Sequence, residues 1–195
     1  MTHCHLINGA KAFAHSAGRL NQTLQDYTAT FLTSSGISIS QTIIDHHYSI
    51  EEEIKAFQKA DIILYQFPGW WMGTPWPLKK YMDEVFTEAH GIFYKNDGRS
   101  RHDPTKLYGS GGLLQGKRFM VSTTWNAPLE AFEEPHQFFH GGGIDAVLFP
   151  FYRAHAFLGM ERLPTFLATD VMKNPDIEAI TTAYQHHLER VILTL

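Results

Sequence analysis

The chain has 195 residues, of which 44% are hydrophobic and 18% charged, and its formal net charge is −4. This composition predicts one folded domain with a sizeable core and excludes a disordered chain. The slightly acidic balance argues against binding to nucleic acid or to an anionic membrane surface. Because the only cysteine is Cys4, the sequence has no disulfide framework, and we expect a reducing, cytoplasmic setting.

The start of the chain, MTHCHLINGA, has no basic segment followed by an apolar run, so no signal peptide is expected. Apolar runs elsewhere fall short of the roughly 18–20 residues of a transmembrane helix. We therefore expect no membrane insertion.

Strand and helix patterns alternate along the first half of the chain. The first strand is predicted at His5–Asn8, and a helix follows with apolar residues at helical spacing from Leu20 to Phe31. Ser38–Ile44 is predicted as the second strand and Ile50–Ala60 as a helix with an acidic start. Asp61–Phe67 is almost continuously apolar, which is typical of a strand buried on both faces.

The second half begins with a helical pattern from Leu78 to Phe86, which Pro77 precedes. Residues 91–116 are polar and glycine-rich without helical periodicity, and loops of this length are usually functional or flexible. The remaining predicted elements are a strand at Lys117–Thr124, a helix at Ile144–Phe157, a short strand at Thr165–Thr169 and a final helix from Ile177 to Val191.

This alternation predicts an α/β fold with a five-stranded parallel sheet and helices on both faces. Five strands in a chain of this length fit the flavodoxin-like order 2-1-3-4-5 better than the six-stranded dinucleotide fold. We expect a single domain over residues 1–195, with residues 91–116 as a long loop excursion.

In such sheets a ligand binds beyond the carboxyl ends of the strands, where the winding direction reverses. For this order the reversal lies between strands 1 and 3, so the adjoining loops are Ala10–Arg19 and Pro68–Trp76. The second loop holds three of the four tryptophans within seven residues. Flat side chains at this place favour a flat ligand, although a dimer interface or a small folded-back core would also account for them.

The first of these loops has the features of an anion site. Free backbone N–H groups and the helix dipole attract phosphate at a helix N-terminus, where Ser16 adds a hydroxyl and His15 or Arg19 a positive charge. The loop has neither a GxGxxG nor a P-loop motif, so it fits a mononucleotide or pyrophosphate bound as in a flavin. The same residues would also suit an ordinary capping loop.

A third loop, Thr123–Asn126, follows the fourth strand. Its two hydroxyls, indole and amide suit the polar edge of a heterocycle, while Trp70 and Trp71 offer a flat wall.

Other chemistries find little support in the sequence. Ser110 stands in YGSGG rather than GxSxG, which argues against a hydrolase. Cys4 stands at the start of the first strand and is a poor candidate nucleophile. His136 and His140 are four residues apart, but no third ligand stands nearby, so no metal site is predicted. A redox cofactor that brings its own reactivity fits better.

The chain resembles the bacterial modulator of drug activity B family in four segments, INGAKAFAHSAGRLN, QFPGWWMGTPWPLKKYMDEVF, KLYGSGGLLQGK and STTWNAP. Members of this family are FAD-containing NADPH:quinone reductases of the flavodoxin-like quinone reductase group, and the resemblance covers nearly the whole chain. It implies a homodimer with non-covalent FAD, in which a hydride passes from NADPH to the flavin and then to a quinone by a ping-pong mechanism. The preference for NADPH over NADH rests on this resemblance.

The resemblance also implies which residues bind the cofactor. The phosphates would lie against His15, Ser16, Gly18, Arg19, Leu20, Asn21, Gln22 and Thr23. The isoalloxazine ring would lie against Pro68, Gly69, Trp70, Trp71 and Met72. Its polar edge would meet Thr124, Trp125, Asn126 and Ala127, and Tyr108 would complete the pocket.

Two features depart from the mammalian-type members of the group. Those members have a glycine pair where this chain has Trp125-Asn126. They also relay charge through a Tyr/His pair, for which His140 is the nearest candidate catalytic residue here.

Two other functional classes stay open. One is a regulatory flavoprotein that binds a membrane transport partner, like the potassium-efflux ancillary proteins of the same fold group, with incidental reductase activity. The other is an FMN electron carrier of flavodoxin type, but such carriers are usually more acidic than this chain and lack its long loop.

Overall fold

The computed structural model describes residues 2–14, 16–173 and 175–195. In chain order the first elements are β1 (His3–Asn8), α1 (Arg19–Ser34), β2 (Ser38–Ile43), α2 (Ile50–Lys59), β3 (Ile62–Pro68), α3 (Trp76–Glu88) and β4 (Arg118–Thr124). They are followed by α4 (Leu129–Glu133), α5 (Gly143–Val147), α6 (Phe149–Phe157), β5 (Glu161–Arg162), β6 (Phe166–Ala168) and α7 (Ile177–Ile192).

The strands form one parallel sheet in the order β2-β1-β3-β4-β5, and β6 also pairs with β4. The predicted flavodoxin-like order 2-1-3-4-5 is therefore confirmed, with the fifth position divided between two short strands. β5 pairs with the start of β4 at Arg118, whereas β6 pairs with its end at Thr124. Pro164 lies between them, and because proline has no N–H for the ladder, the strand is interrupted there.

Helices cover both faces of the sheet, as predicted. The central strands β1 and β3 are buried along their whole length. Along β3 the side chains alternate between two cores, because successive residues of a strand point to opposite faces: Tyr65 reaches one core and Leu64 the other. The first core is completed by residues of α2, α3 and α6, and the second by residues of α1 and α7.

The helix predicted at Ile144–Phe157 is in fact two helices, α5 and α6, which meet at Leu148. Pro150 stands in the first turn of α6 and lacks the N–H that a continuous helix would need, so a new helix starts here.

The long segment 91–116 packs at the amino end of the sheet. The Leu114 N–H donates to the Leu158 carbonyl at 2.9 Å. Gly112 lies so close to Leu158 that a Cβ on the glycine would come within 2.3 Å of its backbone. Leu158 comes just before β5, whose partners are the first residues of β4. The segment therefore lies at the edge of the sheet opposite the carboxyl ends of the strands.

Within the described residues, the structure contains no helix that is both long and apolar enough to cross a membrane.

Candidate functional site

A cleft of about 450 Å³ lies at the carboxyl ends of β1, β3 and β4, where the winding direction of the sheet reverses. The loop before α1, the end of β3 with the tryptophan loop, and the end of β4 form its walls. The lining residues are Ser16, Ala17, Gly18, Arg19, Leu20, Asn21, Pro68, Gly69, Trp70, Thr124, Asn126, Val171 and Met172. This is the position predicted from the strand order, and its volume is typical of a cofactor pocket.

One end of the cleft is the N-terminus of α1. Gly18 precedes the helix with a φ of 69°, a left-handed conformation that glycine adopts without steric cost. A glycine at this position offers no side chain to cap the first turn, and no side-chain cap is found among the described residues. The first turn also has no acidic residue, while Arg19 adds a cation. Unsatisfied N–H groups, the helix dipole and one guanidinium therefore make this end suitable for a phosphate group.

Beneath the cleft, three buried polar side chains form a hydrogen-bond network. The Asn21 amide donates to Thr124 Oγ1 at 3.1 Å, and its carbonyl oxygen accepts from Gln66 Nε2 at 2.8 Å. All three side chains are at most 4% exposed. Because Asn21 belongs to α1, Gln66 to β3 and Thr124 to β4, the network joins the three elements that line the cleft. Buried networks of this kind limit the relative movement of the elements they connect.

The tryptophan loop is a tight hairpin. The N–H and C=O groups of Trp70 and Gly73 pair with each other at 2.9 and 3.1 Å. Between them Trp71 and Met72 both have positive φ angles, 45° and 61°. This is the pattern of a type I′ turn, whose two central positions usually hold asparagine and glycine. A bulky residue in the left-handed region costs roughly 1–2 kcal/mol, and strain of this kind is concentrated at functional sites.

The side chains of the hairpin point in three different directions. Trp70 lines the cleft and packs against Phe13 with ring centroids 5.4 Å apart. Trp71 at the tip is 97% exposed. Met72 turns to the other side, where it lines a different cavity beside α3 and α6. Of the three ring-binding side chains expected in this hairpin, only Trp70 faces the cleft within one chain.

Trp125 lies behind the cleft. It is 5% exposed, its indole N–H donates to Thr123 Oγ1 at 3.0 Å, and its ring packs against Phe132 and Phe139. A Cβ on Gly69 would come within 2.1 Å of the Trp125 ring. The indole therefore supports the loop backbone from below and does not line the cleft. Its neighbour Asn126 does line the cleft.

The structure brings ten of the expected residues together in the cleft, namely Ser16, Gly18, Arg19, Leu20, Asn21, Pro68, Gly69, Trp70, Thr124 and Asn126. It places eight others away from its lining, namely Gln22, Thr23, Trp71, Met72, Tyr108, Trp125, Ala127 and His140. His15 lies outside the described residues. Gln22 fails to face the cleft because its amide oxygen accepts from the Asn8 amide at 3.1 Å.

Tyr108 and His140 are two expected site residues that do not line the cleft. Tyr108 is 68% exposed and packs against Phe157 at the C-terminus of α6, near the amino end of β4. About 20 Å of strand, at 3.3 Å per residue, separates the two ends of β4. His140 is exposed in the turn after α4, with a φ of 54°. Neither side chain reaches the cleft of its own chain.

Sequence reasoning missed the loop after β6. Val171 and Met172 close the cleft on that side, and the Val171 N–H donates to the Trp125 carbonyl at 3.2 Å. The signal was present, because the carboxyl end of the last strand also belongs to the binding edge of the sheet.

Three further features of the structure concern thiol, hydroxyl and metal chemistry. Cys4 is completely buried, and burial raises the pKa of its thiol well above its ordinary value, so a thiolate nucleophile is not available. The Ser110 hydroxyl donates to the Leu107 carbonyl at 2.7 Å. In the described part of the chain, no three His, Cys, Asp or Glu side chains lie close enough together to hold a metal ion.

Comparison with known proteins agrees with this geometry. A model of a flavodoxin-like fold family matches residues 5–191. The NADPH:quinone oxidoreductase MdaB of Haemophilus influenzae is 49% identical over 186 residues, which cover 95% of this chain and 97% of that protein.

Two solved structures share the fold. A protein described as a putative quinone reductase from Klebsiella pneumoniae has a TM-score of 0.76 at 21% identity, covering 97% of this chain and 84% of that one. General stress protein 14 of Treponema denticola, solved in complex with FMN, has a TM-score of 0.70 at 16% identity and covers 97% of both chains. From the family match and the extent of its identity to MdaB, this chain belongs to the flavodoxin-like family, in the group of modulator of drug activity B.

Proposed function

We propose that this protein is an NAD(P)H:quinone oxidoreductase that uses FAD. The observation that carries the proposal is the cleft at the switch point of the sheet, with an uncapped helix N-terminus at one end and the tryptophan hairpin at the other. A flavin nucleotide has the matching parts, an anionic phosphate chain and a flat ring. The nearly full-length relation to an NADPH:quinone oxidoreductase supports the same reading.

The chain's residues would hold the cofactor by its two ends. Backbone N–H groups at the start of α1, together with Arg19 and the Ser16 hydroxyl, would bind the phosphates. The backbone at Pro68–Gly69, kept in place by the Gly69 N–H bond to the Thr124 carbonyl at 2.9 Å, would lie against the ring. Trp70 would cover part of the ring and exclude water, and Asn126 would offer an amide to its polar edge.

When bound, the flavin supplies the hydride chemistry that joins oxidation of NAD(P)H to two-electron reduction of a quinone. The chain has only to orient each substrate and keep the site dry, so no protein base is required. We propose that the nucleotide and the quinone occupy the same site in turn, which gives ping-pong kinetics, and that NADPH is the preferred donor.

We propose that the working form is a homodimer. Tyr108, which the family resemblance places in the pocket, packs near the amino end of β4 and cannot close the cleft at the carboxyl end of its own chain. A second copy is needed to bring that ring over the cofactor. The exposed Trp71 at the hairpin tip is a further surface that such a partner would cover.

Anaerobic stopped-flow spectroscopy near 450 nm tests the proposal. The purified protein is mixed with NADPH or NADH and then with a short-chain quinone. We expect bleaching with NADPH and recovery with the quinone, and FAD released after denaturation. A bound flavin with no half-reaction above background would instead favour a regulatory flavoprotein that binds a membrane partner. FMN in place of FAD would reject that part of the proposal.

A matched pair of variants tests the phosphate end. Arg19→Glu reverses the charge beside the helix N-terminus, whereas Arg153→Glu makes the same change at an exposed position on α6 outside the cleft. We expect Arg19→Glu to weaken flavin binding by tenfold or more, about 1.4 kcal/mol, and Arg153→Glu to leave it unchanged. Equal flavin affinity in the two variants would remove Arg19 from the site.

A further inference from the structure

A second cavity of about 200 Å³ lies on the far side of the tryptophan hairpin from the flavin cleft. The hairpin and α3 form one wall, and α5 and α6 form the other. The lining residues are Met72, Gly73, Thr74, Lys79, Met82, Val147, Leu148, Pro150, Phe151 and Ala154. The proposed flavin site does not include this cavity.

The cavity is apolar. Its floor is formed by the buried side chains of Met82, Leu148 and Phe151, which belong to the core on that face of the sheet. Among the described residues that line it, only Thr74 and Lys79 have polar side chains. The Lys79 ammonium is paired with a carboxylate one turn along α3. An ionic or strongly polar ligand would therefore lose hydration here without gaining partners.

The strained hairpin lies between this cavity and the flavin cleft. Trp70 and Met72 are two residues apart, yet they line different cavities because both central residues of the turn are left-handed. An ordinary turn residue such as glycine would avoid the strain but would bring no side chain to the cavity. Met72 is half exposed at the boundary, and its flexible thioether can adapt to ligands of different shape.

The size of the cavity limits the ligand. An apolar cavity of about 150 Å³ binds one benzene molecule, so about 200 Å³ has room for a group of similar or slightly larger size, such as one five-carbon isoprene unit. Resting on the proposed quinone reductase function, we propose that this cavity binds the apolar side chain of the quinone, and that the enzyme is therefore selective for quinones with a short prenyl-type tail.

The test compares two quinones with the same ring, 2,3-dimethoxy-5-methyl-1,4-benzoquinone and the same compound with one prenyl group. In the purified flavin-loaded protein we expect kcat/KM to be about 10- to 100-fold higher for the prenylated quinone, because burial of its carbons stabilises the complex. Ala154→Leu narrows the cavity from α6, and Val147→Phe narrows it from α5. Each should bring the ratio of the two kcat/KM values close to one while leaving the value for the untailed quinone nearly unchanged.

Ala156→Leu is the matched control, because it makes the same change on the same helix outside the cavity lining. Calorimetric titration of the oxidised protein with both quinones, without NADPH, measures the tail preference independently of turnover. Absence of turnover with both quinones would reject the proposed function, whereas the titration would still decide the inference.

Three results would overturn the inference. The first is a wild-type ratio near one. The second is an unchanged ratio in both Ala154→Leu and Val147→Phe. The third is a change in the oligomeric state of the two narrowing variants, measured by light scattering, while the ratio of their kcat/KM values is unchanged. That result would mean that a second copy of the chain covers the cavity.

Discussion

Replacing Gly69 by alanine should disrupt the cleft through a single added methyl group. The backbone of Gly69 is not left-handed, so alanine is allowed by its dihedral angles and the effect is purely steric. The new Cβ would lie 2.1 Å from the Trp125 ring, far inside the contact distance of two carbon atoms. The indole cannot easily withdraw, because it is buried, bonded to Thr123 and packed between phenylalanine rings.

Overpacking of a tight site of this kind costs about 1–3 kcal/mol, so we expect Gly69→Ala to lower the free energy of unfolding by that amount. Flavin affinity should fall as well, because the same backbone forms the wall of the cleft. Gly73→Ala is the control, since a Cβ there meets no described atom within 4 Å. It should be neutral or slightly stabilising, by up to about 1 kcal/mol.

Urea unfolding of both variants, with and without added flavin, measures these effects. A third variant makes the assay sharper: Trp125→Phe shrinks the opposing ring and should recover part of the loss when combined with Gly69→Ala. We expect a favourable coupling energy of about 1 kcal/mol between the two substitutions. If Gly69→Ala proves as stable as Gly73→Ala, or if the two substitutions are simply additive, the steric argument is wrong.

Three further predictions concern other parts of the fold. Burial lowers the pKa of His155 to about 4, against 6.5 ordinarily, so the unfolded chain gains a proton before the folded one as pH falls. Stability should therefore decline between about pH 6.5 and pH 4, by about 3 kcal/mol from this residue. The double variant Tyr65→Phe/His155→Phe removes both partners of a 2.8 Å hydrogen bond. Its thermal stability should therefore depend less on pH over that range. An unchanged pH dependence would show that other groups dominate. Asn21→Ala leaves two buried polar partners unsatisfied, so we expect the free energy of unfolding in urea to fall by about 2–4 kcal/mol and flavin to be released faster. Unchanged stability and an unchanged rate of flavin release would contradict the proposed network. Trp71→Gly removes a left-handed tryptophan that is 97% exposed in one chain, so it should raise the unfolding free energy of the monomeric form by about 1 kcal/mol. It should also weaken the proposed dimer in sedimentation experiments. Loss of monomer stability would refute this.

Much of the fold follows from local patterns. The nearly continuous apolar run at Asp61–Phe67 and the helical spacing after Leu20 are sufficient to predict a buried central strand and its covering helix. Interruptions of these patterns were harder to predict. The division of the fifth strand around Pro164 and of the long helix at Leu148 depend on single residues within otherwise suitable segments.

The candidate site could be predicted to the level of loops and not to the level of side chains. The order of strands places the loops before α1, after β3 and after β4 at one edge, and ten expected residues do meet there. Which member of a loop faces the cleft is decided by packing: Asn126 faces it and Trp125 supports it from behind, although they are adjacent in the chain.

By itself the sequence determines the order of strands and helices, the winding of the sheet and therefore the edge at which a ligand binds, because hydrophobic periodicity and the rules of parallel sheets act through local residues. Tertiary structure alone decides that the hairpin turns Trp70 and Met72 into two different cavities and that Tyr108 lies near the amino end of β4. The reason is that left-handed backbone angles and contacts between distant segments depend on the packing of the whole chain. Hydrophobic periodicity predicts local helices and strands and contains no information about such contacts.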